Sequence, residues 1–193
     1  MYHPNVIYHV YNQSISSEVV YRGEKFYLLF LQKLRQQILP VADILCYCLM
    51  PTHFHLQLIP KAGGLELQMA GLQPSKQQVL HASFRSLLSS YTRKVNPQYD
   101  RRGSLFRKTH YKPAYADFIP EDWELREERP FTQYVPYIRR CFDYIHDNPV
   151  RAGLVNNASD WPYSSAMDWA GLREGTLCNY ELAERLIGVR RGH

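Results

Sequence analysis

A chain of 193 residues, 45% hydrophobic and 21% charged, has the make-up of one globular domain with a real core, which excludes long disorder and low-complexity repeats. No run approaches the roughly 18 to 20 apolar residues of a membrane-spanning helix, and Met1-Tyr2-His3-Pro4-Asn5 lacks a basic flank leading into an apolar stretch; the expectation is a cytoplasmic protein, neither secreted nor membrane-embedded. The net charge of +5 is concentrated: Arg93, Lys94, Arg101, Arg102, Arg107, Lys108 and Lys112 stand against Asp100 alone, a composition suited to an anionic partner.

Residues 6–11, Val-Ile-Tyr-His-Val-Tyr, are β-branched and aromatic and predict a first strand. Apolar residues at helical intervals from Phe26 to Ile38 predict a helix over 24–39, stopped by Pro40. Residues 44–50 and 54–59 read as two strands joined at Pro51-Thr52-His53, with Cys46 and Cys48 pointing the same way. The four cysteines, Cys46, Cys48, Cys141 and Cys178, show no CxxC spacing and read as reduced, buried thiols. A second helix is expected from Ser75 to the break at Asn96-Pro97, then a basic loop and a strand over 110–115.

The order strand, helix, strand, strand, helix, strand is that of an α+β, ferredoxin-like split βαβ arrangement: an antiparallel sheet with both helices on one face. Residues 120–130, rich in Asp and Glu, read as an acidic surface insertion, and a third helix is expected over about 132–147. Residues 1–168 are taken as one domain, and 169–193 as a tail whose role the sequence does not indicate.

Two constellations carry chemistry. In Met50-Pro51-Thr52-His53-Phe54-His55-Leu56 the histidines are two apart on a strand-like segment, so both imidazoles project to one face with Phe54 on the other. Such a pair can hold one divalent cation; on spacing alone, two half-exposed sheet histidines remain the simpler reading. In Tyr144-Ile145-His146-Asp147-Asn148-Pro149-Val150-Arg151-Ala152-Gly153-Leu154-Val155, one helical turn separates Tyr144 from Asn148, which puts a hydroxyl and an amide on one face. Tyr144 could equally be core, and Asn148, preceding proline, a helix-ending residue.

Taken together with Gly103-Ser104-Leu105-Phe106-Arg107 and Trp161-Pro162-Tyr163-Ser164-Ser165, these segments resemble the REP-associated tyrosine transposases, of the HUH single-strand transposase group, over about the first 165 residues. The resemblance implies that His53 and His55 bind a metal, with Asn148 as a further ligand, and that Tyr144 is the nucleophile. It implies cleavage and rejoining of single-stranded DNA beside hairpins formed by short REP-like palindromes, through a 5′-phosphotyrosine. Thr52 stands where many relatives have asparagine, and the 117–131 stretch is longer than the family pattern suggests.

Imidazole, amide and phosphate donors suit Mg²⁺ or Mn²⁺, with Mn²⁺ bound more tightly. The basic loop, with Arg139, Arg140 and Arg151, is expected to hold the phosphate backbone, and Phe106 or Tyr111 to stack on unpaired bases. Tyr134, Tyr137 and Tyr144 share a helix face, but Tyr137 lies about 16 Å along the helix from Asn148, so Tyr144 is the nucleophile if Asn148 and the histidines share one cation. The alternative is a non-catalytic single-strand-binding module of the same fold, and the chain is expected to be a monomer or homodimer.

Overall fold

The computed structural model describes residues 1–70, 73–114 and 134–192. Four strands form one antiparallel sheet in the order β2-β3-β1-β6, where β1 is Tyr8–Gln13, β2 Ala42–Met50, β3 His53–Pro60 and β6 His110–Pro113. With α1 (Glu24–Gln37) between β1 and β2, and α3 (Val79–Val95) between β3 and β6, this is the expected ferredoxin-like topology.

Strand alternation sorts the two faces. Val10, Ile44, Tyr47, Leu49, Phe54, Leu56 and Leu58 pack under α1 and α3, which contribute Phe26, Phe30 and Leu34, and Leu80, Phe84, Leu87 and Tyr91. Each such side chain, fully buried, contributes about 1.5 to 3 kcal/mol relative to exposure. The register of β2 against β3 shifts between Ile44 and Cys46, so Leu45 joins Cys46, Cys48 and Met50 on the opposite face. There they meet Ile138, Cys141, Phe142 and Ile145 of α4 (Val135–Arg151) and Ala183 and Ile187 of α6 (Tyr180–Ile187). All four cysteines are free and buried, and burial raises the Cys46, Cys48 and Cys178 thiols well above their ordinary range.

Three elements depart from the sequence reading. The first strand runs two residues further, to Gln13, because the buried Asn12 bonds Arg107 O and Thr109 Oγ1 at 2.9 Å each. After the short helix α2 (Ala62–Leu65), residues expected to open the second helix instead form a hairpin of β4 (Leu67–Ala70) and β5 (Gln73–Gln78). Gln78 fastens it by bonds to both Tyr2 N (2.7 Å) and Tyr2 O (2.9 Å), so helix begins only at Val79.

The third departure is the end of α4, which passes Asp147 and includes Pro149. It stops in a Schellman cap, with Leu154 N donating to Pro149 O (2.9 Å) and Gly153 N to Val150 O (2.9 Å). Gly153 has φ +67°, a conformation that costs glycine least, which gives the Arg-Ala-Gly-Leu run its physical meaning. The pre-proline bias at Asn148 yields to the burial of Ile145 and Pro149. The acidic 120–130 segment, Tyr115 and residues 132 and 133 lie outside the described residues.

Beyond α4, residues 163–165 run along the exposed edge of β2. Leu49 N donates to Tyr163 O (3.0 Å) and Ser165 N to Tyr47 O (3.0 Å), covering an edge that would otherwise present unpaired backbone. Tyr163 stacks on Tyr27 with centroids 3.6 Å apart, and Trp161 Nε1 donates to Leu49 O. The helix α5 (Ala166–Trp169) follows, and Leu177, Cys178 and Val189 add to the two cores. Among the described residues no helix is long and apolar enough to cross a membrane.

His146 of α4 belongs to this packing. Its Nε2 pairs with Ser165 Oγ at 2.8 Å, and burial, reinforced by Arg139, pushes its pKa down to about 3. A folded value below the unfolded 6.5 means that the unfolded chain takes the proton more readily, so this stability is whole above pH 6.5 and erodes as pH falls toward 3. His53 contributes with the same sign. We expect Tm to fall from pH 7 to 4.5 and His146→Asn to flatten that fall; an unchanged slope in the variant would place the acid sensitivity elsewhere.

Candidate active site between the sheet and the tyrosine helix

The second face of the sheet carries the polar side chains. Register sets Cys48, His55, Tyr11 and His110 side by side across the four strands, and Gln57, His9 and Lys112 in the next row. Gln57 Nε2 donates to Ile138 O of α4 at 3.0 Å, a buried tie that fixes the helix over the sheet. Two turns further along, the half-buried Tyr144 stands over the histidines, its ring 5.7 Å from His55 and 6.1 Å from His9.

His53 and His55 project together, with ring centroids 5.0 Å apart and planes nearly perpendicular, and Phe54 points into the opposite core. Thr52 turns its hydroxyl to His53 Nδ1 at 3.0 Å. With Nδ1 so engaged, Nε2 is the nitrogen a cation would meet. Burial lowers the His53 pKa, partly offset by the neighbouring Asn148 side chain, so the neutral ring, the form that ligates metals, is favoured at pH 7. Asn148 also donates Nδ2 to Tyr144 O at 2.7 Å, which pins its amide and ties it to the tyrosine's own turn.

A cavity of about 290 Å³ opens among Tyr11, Gln13, His53, His55, Arg107, His110 and Tyr144. Two imidazoles and an adjacent amide oxygen fit an open divalent site that leaves positions for water and phosphate. Among the described residues no group of three or more His, Cys, Asp or Glu gathers to complete a closed tetrahedral site.

The expected cations separate into groups. Arg151 lies 5.3 Å above the Tyr144 ring, Lys112 5.5 Å above Tyr11, and Arg107 lines the cavity. Arg93, Arg107 and Lys108 line a second, larger groove of about 820 Å³ between α3 and the basic loop, with no carboxylate among the described residues of its walls. Arg107 is common to both hollows.

Lys94 and Arg102 are exposed outside these walls. Arg101 is engaged elsewhere, gripping Glu18 through Nε (2.7 Å) and Nη2 (2.9 Å), while Arg139 pairs with Asp143 and Arg140 covers Tyr137. Phe106 is not an exposed stacking surface: it is buried among Phe30, Phe54 and Tyr91. Tyr111 is half-buried against Tyr2 and His81.

Sequence reasoning missed His9, Tyr11 and His110 on the site face and Arg85 in the groove. Signals existed. His9 and Tyr11 share parity on an otherwise apolar strand, and His81, Arg85, Ser89 and Arg93 recur every four residues along α3.

No protein-family model matches the chain, and no curated protein matches it. Among solved structures, a REP-associated tyrosine transposase bound to a REP hairpin is similar, with 15% identity and a TM-score of 0.53 over 93% of this chain and 91% of that one. That likeness confirms the α+β ferredoxin-like fold with its additional C-terminal helix.

Proposed function

We propose that this protein is a metal-dependent transposase or endonuclease of single-stranded DNA, cleaving and rejoining hairpin-flanked strands through a 5′-phosphotyrosine on Tyr144. One observation carries the reading: Tyr144 and the His53/His55 pair line one cavity, and Asn148 stands one turn from Tyr144, its amide bonded to Tyr144 O. His53, His55 and Asn148 would hold Mg²⁺ or Mn²⁺, whose charge would stabilise the scissile phosphate. The hairpin-bound structural neighbour supports DNA as the partner, and a DNA-acting protein fits the cytoplasm.

The Tyr144 hydroxyl would attack the phosphorus in line, giving the phosphotyrosine and a free 3′-hydroxyl. Arg151, over the phenol ring, can contact the phosphate. A second 3′-hydroxyl reverses the step and joins new ends, since the phosphotyrosyl ester conserves the bond's energy. Incubating the protein with single-stranded hairpin DNA and Mn²⁺, then denaturing, should yield a covalent conjugate. Binding without conjugate would leave a single-strand-binding module, the reading that the basic groove supports by itself.

Binding should weaken steeply with salt as cations on the protein displace counterions. Arg93→Ala, in the groove, is expected to lower the slope of log affinity against log salt by about 1. Arg101→Ala should change that slope little, because its guanidinium is already committed to Glu18. Equal changes in both variants would contradict this division of the basic loop.

A further inference from the structure

We infer that His9 is a positioning residue that accepts the Nδ1 proton of His55 and so turns a bare His55 Nε2 toward the cation. This deepens the metal-dependent reading above and rests on it. His9 is 3% exposed, and its Nε2 lies 2.8 Å from His55 Nδ1, the rings stacked at 27° with centroids 5.1 Å apart.

Two neutral imidazole nitrogens at that distance share one proton, because two lone pairs repel and two N–H groups collide. If His9 donates, His55 carries its own proton on Nε2 and cannot ligate through it. If His55 donates, Nε2 is bare. Only the second arrangement makes His55 a ligand through the nitrogen that His9 does not occupy. Metal-bound histidines usually hand this second N–H to a carboxylate, a carbonyl or water; here the acceptor is another histidine, presented by the neighbouring strand. The edge contacts of both rings with Tyr144 tie the pair to the nucleophile's position.

Long-range ¹H–¹⁵N NMR of the metal-free, DNA-free full chain should find the His55 proton on Nδ1; a proton on Nε2 would overturn the proposal without any variant being made. Mn²⁺ titration followed by the EPR signal of the free ion gives the second measurement. His9→Phe keeps ring volume and removes the acceptor, and should weaken Mn²⁺ binding about 10- to 100-fold. His9→Gln, which restores an acceptor near the old Nε2, should recover most of that loss. Wild-type affinity in His9→Phe, with His55→Ala impaired, would sink the role of His9 alone. Equal Mn²⁺ binding by wild type and His55→Ala would instead sink the metal reading itself.

Discussion

A Tyr144→Phe variant is expected to bind hairpin DNA and Mn²⁺ as the native chain does and to form no covalent conjugate. The substitution removes one oxygen and keeps the ring that stands over His55 and beneath Arg151, so packing and charge around the cavity persist. Loss should be complete within detection, because among the described residues no other tyrosine hydroxyl is placed to act. Tyr11 also lines the cavity, but its ring is packed between those of His55 and His110. Tyr137, two turns earlier on α4, lies beneath Arg140 and outside the cavity. Tyr137→Phe should therefore conjugate normally. A conjugate that persists in Tyr144→Phe, or a nucleotide-bearing tryptic peptide containing Tyr137 or Tyr11, would overturn the assignment.

The largest loss of stability away from the cavity is expected from Asp168→Ala. Asp168 is 1% exposed, and its carboxylate takes two guanidinium nitrogens of Arg173. Arg173 in turn donates to Pro162 O (2.7 Å), Ser164 O (2.8 Å) and the Tyr47 hydroxyl (3.1 Å), joining the segment after α4 to β2. The fit is close: a Cβ at Gly175 would collide with the Asp168 carboxylate and the Tyr180 hydroxyl. Breaking a buried pair from one side costs about 3 to 5 kcal/mol, and partial exposure of Arg173 places the expectation near 3. At about 2 to 4 °C per kcal/mol for a chain of this size, Tm should drop by roughly 6 to 12 °C. A drop of only a degree or two by calorimetry would show that water replaces the carboxylate at little cost.

The sheet and its helices were legible because their signals are local. The strand-forming runs at 44–50 and 54–59, and the helical spacing from Phe26 to Ile38, are each carried by neighbouring residues. What escaped depends on partners distant in sequence. His9 acquires meaning only beside His55, 46 residues away, and Asn12 is drawn into β1 by Arg107 and Thr109. Ser75 to Gln78 look helical until β4 is there to pair with. Of the residues singled out in the sequence, Tyr144, His53 and His55 line one cavity, and Asn148 stands one turn from Tyr144. The charges were harder, since a basic run does not reveal that Arg101 is spent on Glu18 while Arg85, outside it, faces the groove.

The alternation that places His53 and His55 on one face and Phe54 and Leu56 on the other has an evolutionary consequence. Deleting one residue within β3 would send the histidines into the oily layer beneath α1 and the phenylalanine onto the site, ruining chemistry and packing together. Heredity can therefore alter the letters of this strand but not its frame. Change is channelled into substitution along the strands and length changes in the connections, so very different sequences can share this architecture.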